Sequence, residues 1–174
     1  MFWDKTNLAG SFTDAHLPRG FAPYNIQNIG GNLFVTYAKQ DAARDGGFAA
    51  GRGKGFVDVY DTSGHLLKRV ASGGALNAPS GVAMAPAGFG SLGGNLLIAN
   101  SGDGHIVAYD PSHHFAFRGL LSGARRRPIT IPGLKAIQFG NGVSSGDANA
   151  LYFTAAPNNG SHGLFGSLRV ASGS

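Results

Sequence analysis

Glutamate is missing from this chain and so is cysteine, and each absence closes off a class of answers. Without cysteine there are no disulfides and no thiolate metal sites, and the compartment is left open. Without glutamate every acidic group is one of nine Asp, a residue that prefers turns to helices, so helix is expected to be scarce. Charged residues make up only 13% of the chain and no apolar run approaches the ~20 residues of a membrane span, so no transmembrane helix is expected. The opening Met1-Phe2-Trp3-Asp4 does not read as a signal peptide, so no export address is expected on this chain.

What is abundant is glycine. With 29 Gly and 8 Pro among 174 residues, the composition fits many tight turns in one mainly β domain over residues 1–174. An apolar share of 43% is enough for a core and argues against global disorder. The net charge of +5 permits an anionic partner. The fourteen basic residues are scattered, however, with only Arg125-Arg126-Arg127 forming a run, and no aromatic-basic interleaving accompanies them. Nucleic acid is therefore not expected as a partner.

The chain is organised around residues 78–121. There four short apolar runs, 81–84, 95–99, 105–109 and 115–121, are separated by Gly, Pro, Asn, Asp and Ser. That is turn chemistry between strands and leaves no room for a helix. The pieces recur on both sides. An inner strand reads Pro23-Tyr24-Asn25-Ile26-Gln27, then Pro79-Ser80-Gly81-Val82-Ala83, then Leu134-Lys135-Ala136-Ile137-Gln138. A second reads Leu33-Phe34-Val35-Thr36, Leu96-Leu97-Ile98-Ala99 and Leu151-Tyr152-Phe153-Thr154. A third reads Val57-Asp58-Val59-Tyr60-Asp61, Ile106-Val107-Ala108-Tyr109-Asp110 and a degraded Phe165-Gly166-Ser167-Leu168-Arg169, and an outer strand follows twice, at 65–70 and 115–121.

This pattern predicts an all-β fold of propeller type, made of four-stranded antiparallel blades. The expected pieces are 1–20, the end of a preceding blade; 21–70 and 78–121, whole blades; and 131–170, an incomplete one. Phe2-Trp3-Asp4 reads as the tail of a third strand and residues 7–12 as an outer strand, so the ends are complementary and the total is about three blades. A ring of three is too tight to close, since radial repetition takes roughly four to eight blades. The expectation is therefore half of a six-bladed ring: either a piece of something longer, or a homodimer in which each copy completes the other.

The stretch Pro79-Ser80-Gly81-Val82-Ala83, followed by Asn95 to Asp110, resembles an NHL-type propeller repeat. The whole chain is similar to the C-terminal half of a functionally uncharacterised family of secreted bacterial six-bladed propellers. That similarity rests on Gly10-Ser11-Phe12-Thr13-Asp14, on Gly20-Phe21-Ala22-Pro23-Tyr24, on Ala85-Pro86-Ala87-Gly88-Phe89-Gly90 and on Phe139-Gly140-Asn141-Gly142. Ser80 and Lys135 stand where that family favours an aromatic. The resemblance implies an extracytoplasmic location.

Several constellations invite chemistry. A channel Ca2+, as in lactonase-like propellers, would want oxygen ligands, and Asn25, Asn100, Asp103 and Asn141 are the donors near strand ends. Against it, the inner strands begin with Asn25, Ser80 and Lys135, which supply no acid and one cation, so no cofactor is expected. The six His make no helical i, i+4 pair, and His113-His114 on a strand edge would point to opposite faces, so packing or solvated roles are expected. No Gly-x-Ser-x-Gly elbow is present. Gly46 to Gly53 has the glycine spacing of a phosphate loop but lacks its Lys and Ser/Thr. Asn159-Gly160-Ser161, a glycosylation sequon, marks an exposed turn.

Two inserted loops remain as binding surfaces: one with Arg44, Arg52 and Lys54, the other, 122–132, with Arg125, Arg126 and Arg127. If both project from one face, they would engage a protein or an anionic glycan. Asn25 and Lys135 at the channel mouth complete the candidate set. The functional expectation is a non-enzymatic extracytoplasmic scaffold that binds through its loops. The alternatives are a metal-dependent propeller hydrolase or lyase, and a truncated fragment with no activity of its own.

Overall fold

The Gly, Asn, Asp and Ser clusters between the apolar runs do act as turns, and the runs between them form strands. A computed structural model describes residues 10–43 and 47–171. Their strands are β1 (Phe21–Ile29), β2 (Asn32–Lys39), β3 (Gly55–Tyr60), β4 (Leu66–Ser72), β5 (Pro79–Met84), β6 (Leu96–Asn100), β7 (Ile106–Asp110), β8 (Ala116–Leu120), β9 (Leu134–Phe139), β10 (Leu151–Ala155) and β11 (Leu164–Leu168). The only helical pieces among the described residues are three-residue 3-10 turns. The protein is all-β, with three antiparallel sheets in the orders β1-β2-β3-β4, β5-β6-β7-β8 and β9-β10-β11.

The sheets pack face to face. Alternation along a strand sends successive side chains to opposite faces, and the middle sheet buries both. Val82, Leu96, Ile98, Val107 and Tyr109 meet Phe34, Val57, Val59 and Val70 of the first sheet. Ala83, Leu97, Ala99, Ile106 and Ala108 meet Leu134, Ile137, Leu151 and Ala155 of the third. This is why β6 reads as an unbroken apolar run, with all five residues buried. Each fully buried Leu or Ile in that layer stabilises the fold by about 2 kcal/mol. The first strands of the sheets lie side by side, β5 between β1 and β9. Gly81 makes the β5–β9 approach possible, because a Cβ there would sit 2.9 Å from the Ile137 backbone nitrogen.

The far face of the first sheet is capped by the segment leading into β1. Leu17 and Phe21 pack on Val35, Tyr37 and Tyr60, and Asp14 reaches the Arg69 guanidinium. Two expectations change here. His113 lies in the 3-10 turn Pro111–His113 and His114 is left-handed at φ 53, so neither sits on a strand. Pro111 fixes the turn, and Asp110 caps it by accepting from Ser112 N–H at 2.9 Å. Gly10 to Phe12, expected to end an outer strand, is irregular: its N–H groups donate to Ser63 and Gly64 carbonyls in the β3–β4 turn. Phe2-Trp3-Asp4, residues 7–9 and Arg44 lie outside the described residues.

Candidate functional site

Antiparallel order puts the starts of β1, β5 and β9 at one end of the sheets, together with the β2–β3, β6–β7 and β8–β9 connections. Side chains stitch these connections together. Asn77, on the link into β5, accepts from Gly51 N–H at 2.6 Å and donates to Asp103 Oδ2 at 3.1 Å. Wholly buried Asn100 accepts from Asn77 N–H at 3.0 Å and donates to the Ala75 carbonyl at 2.9 Å. Ser101 Oγ donates to the Leu134 carbonyl at 2.6 Å, and Ile131 N–H to the Gly104 carbonyl at 2.9 Å. The two inserts thus share one end of the molecule, the condition under which they could form one surface.

Their cations behave differently. In the first insert Arg52 Nε donates to the Gly74 carbonyl at 3.3 Å and Lys54 Nζ to the Ala50 carbonyl at 3.0 Å, so both hold down their own neighbourhood. Its Phe48 folds inward, edge-on to Tyr24 at 5.4 Å and 6.0 Å from Lys135 Nζ. Burial pushes the Tyr24 phenol above its ordinary pKa, against an opposing hydrogen bond with Ser101. In the second insert a Ser122–Pro128 bridge closes a tight loop in which Arg125 and Arg126 are left-handed, at φ 60 and 56. Arg125, Arg126 and Arg127 are exposed, and their side chains have no ion-pair or hydrogen-bond partner among the described residues.

Asn25 donates from Nδ2 to the Ser80 carbonyl and accepts from Ile26 N–H at 2.7 Å. It also lines a cleft of about 580 Å³ with Gln27, Gln138, Tyr152, Thr154 and Phe165. Register explains that wall: Tyr152 pairs with Gln138, and Thr154 with Ala136 and Phe165, so these residues share the sheet face turned away from the second sheet. Tyr152 and Phe165 stack at 6.0 Å and 10°. Among the described residues no Asp, Lys, Arg or His lines the cleft.

The proposed oxygen donors disperse. Asn100 and Asp103 serve the network above, and Asn141 Oδ1 accepts from Val143 and Ser145 N–H, both at 2.9 Å, at the opposite end of the sheets. Among the described residues no three His or acidic groups gather where they could hold a metal ion. Histidines pair locally: His65 with Asp61 and His113 with Asp110, both at 2.8 Å. Sequence reasoning missed Asn77, Phe48 and the β9–β11 face. The period-2 pattern of β9–β11 was the one available signal for the face. Nothing local marks Asn77 or Phe48, whose partners are distant in sequence.

No protein-family model matches the chain. It is 33% identical over 156 residues to the uncharacterized protein R648 of Acanthamoeba polyphaga mimivirus, covering 90% of this chain and 38% of that protein. It is 39% identical over 121 residues to R640 of the same virus, covering 70% and 22%, and 32% identical over 152 residues to L690, covering 87% and 39%. The chain thus spans about two fifths of R648 and L690 and about a fifth of R640. These relatives are viral, whereas the sequence resemblance pointed to bacterial proteins.

Proposed function

We propose that the chain is a non-enzymatic binding scaffold of propeller type, NHL-like in its repeats and extracytoplasmic, that holds an acidic protein partner with the loops at the end where β1, β5 and β9 begin. One observation carries the reading: Arg125, Arg126 and Arg127 stand exposed and unpartnered among the described residues, on a loop anchored at both ends. The bridge leaves the loop backbone little freedom to lose on binding, and guanidinium groups meet carboxylates in a fork of two parallel N–H···O bonds. By contrast the acids of the turns are engaged: Asp61 and Asp110 each cap backbone N–H groups and pair with a histidine.

The test uses the full chain on immobilised polyglutamate and, in parallel, polygalacturonate. Retention on polyglutamate is expected, falling as salt rises, and lost when Arg125, Arg126 and Arg127 are all changed to Ala with the far-ultraviolet spectrum unchanged. Retention on polygalacturonate alone would replace the protein partner with an anionic glycan. Retention on neither would sink the proposal.

A further inference from the structure

A chain of polar contacts runs through the loop end from one insert to the other. Gly51 N–H, in the first insert, donates to Asn77 Oδ1 at 2.6 Å, and Asn77 Nδ2 donates to Asp103 Oδ2 at 3.1 Å. The other oxygen of Asp103 accepts from His105 N–H at 3.1 Å and lies 3.5 Å from His105 Nδ1. His105 Nε2 in turn meets Thr130 Oγ1 at 3.1 Å, three residues beyond the end of the arginine run. Ile131 N–H fixes the same point by donating to the Gly104 carbonyl at 2.9 Å. Among the described residues His105 is the one histidine hydrogen-bonded to the second insert. His65 and His113 pair with Asp61 and Asp110 in turns at the opposite end of the sheets, and His162 bonds Ser161 in its own turn.

Imidazole is the one group type in this chain of contacts whose charge ordinarily changes near neutral pH. Within hydrogen-bond or ion-pair reach the His105 ring faces Asp103 on its own turn and Thr130 on the insert, and no Lys or Arg pairs with Asp103 among the described residues. Lys54, bridged to Asn77 through the backbone, gives its ammonium to the Ala50 carbonyl instead. With the ring neutral, the carboxylate favours a proton on Nδ1 and leaves Nε2 to accept from Thr130, so the Asp103 charge stands uncompensated. With the ring protonated, Nε2 donates as well, and the Thr130 hydroxyl turns to accept. The link to the insert survives in both states, whereas the charge at its foot goes from one negative to none.

Three residues span at most about 11 Å, so Thr130 and Arg127 lie within that distance of each other. A charge at such range is felt across a Debye length of about 8 Å in physiological salt, and more fully when salt is low. We infer that His105 is a proton switch on the arginine run. Neutral, it leaves Asp103 to repel an acidic partner; protonated, it cancels that carboxylate and tightens the hold. The inference rests on the reading of the chain as a scaffold for an acidic partner, and it names the regulation of that surface.

The test uses the full chain and fluorescent hexaglutamate, with binding read by anisotropy at pH 6 and pH 8 and one low ionic strength. Glutamate carboxyls stay ionised over that range, so a change in affinity reads the protein. Affinity should be about threefold higher at pH 6. His105→Gln, which can still bond Thr130 but cannot take up a charge, should bind equally at both pH values. Asp103→Asn keeps an acceptor for His105 N–H and loses the carboxylate, so at pH 8 it should bind about threefold tighter than the unaltered chain. A purely structural role for Asp103 would weaken binding instead. Each variant tests the switch by itself, so if one fails to fold the other decides. A flat profile in the unaltered chain, a rise that persists in His105→Gln, or no gain in Asp103→Asn would overturn the inference. Equal binding at both pH values would do so while leaving the scaffold reading intact. Hexaglutamate bound at neither pH would overturn it too, and loss of retention on polyglutamate as well would take the scaffold reading with it.

Discussion

Arg69 donates its Nε–H to Oδ1 of Asp58 at 2.8 Å, and the carboxylate it meets is wholly buried in the first sheet. The same guanidinium also serves Asp14, so one cation faces two carboxylates. Burial pushes Asp58 up to about 6, prevailing over the pull of a shared guanidinium.

The sign of the pH effect follows. A carboxyl whose folded pKa lies above its unfolded value holds its proton longer in the folded state, so its contribution is present at low pH and is lost as pH rises through about 6. Hydrogen bonds from Ser112 and His113 hold Asp110 near 2, so its contribution is present above the unfolded carboxylate range and lost as pH falls towards 2. Thermal midpoints should therefore peak near pH 4, fall by a few degrees as pH rises to about 6, and level off above it. In Asp58→Asn the decline between about pH 4 and 6 should disappear; if it persists, Asp58 is not its source.

A second buried polar pair makes a sharper energetic case. The hydroxyls of Tyr37 and Tyr60 lie 2.7 Å apart inside the same sheet, with both rings buried. Removing one hydroxyl leaves the other unpaired in a dry site, at a cost of about 1–2 kcal/mol, whereas removing both leaves no orphan. Chemical denaturation of Tyr37→Phe, Tyr60→Phe and the double variant should give a double-mutant loss clearly below the sum of the singles. Additive losses would mean that each hydroxyl finds another partner.

Gly94 and Gly104 separate two reasons for a glycine. Both are left-handed, at φ +77 and +73. A Cβ on Gly94 would meet open space, whereas one on Gly104 would sit 2.3 Å from the Ile131 carbonyl oxygen and drive the β8–β9 insert off the β6–β7 turn. Gly94→Ala should cost about 1 kcal/mol, the backbone term alone. Gly104→Ala should cost several times more. Equal losses would show that the insert yields freely at Ile131.

The strands were legible because each is short, apolar and fenced by Gly, Asn, Asp or Pro, a local signal that survives any tertiary arrangement. Even the three-strand third sheet was legible, because its copy of the pattern ends after residues 165–169. What could not be read was which side chains meet across the sheets. Arg52 and Lys54 look like free cations in the sequence, yet each finds a carbonyl in its own neighbourhood. Lys135 meets Phe48, which is 87 residues away (135 − 48) and offers no sequence signal. His113-His114 misled because strand alternation was assumed where Pro111 imposes a turn.

Asn100 offers the most direct check on what fastens the loop end to the sheets. It is wholly buried at the end of β6, accepting from Asn77 N–H and donating to the Ala75 carbonyl, so its amide spans the link between the first and second sheets. Asn100→Ala orphans both backbone groups and should cost about 2–4 kcal/mol. Asn100→Asp preserves the shape but sets a carboxylate oxygen against the Ala75 carbonyl, so it should cost more at neutral pH and recover stability as the medium is acidified and the new carboxyl takes up a proton. The comparison separates the two bonds: if Asp is tolerated better than Ala at pH 7, the filled space and the bond accepted from Asn77 N–H outweigh the lost donation to the Ala75 carbonyl.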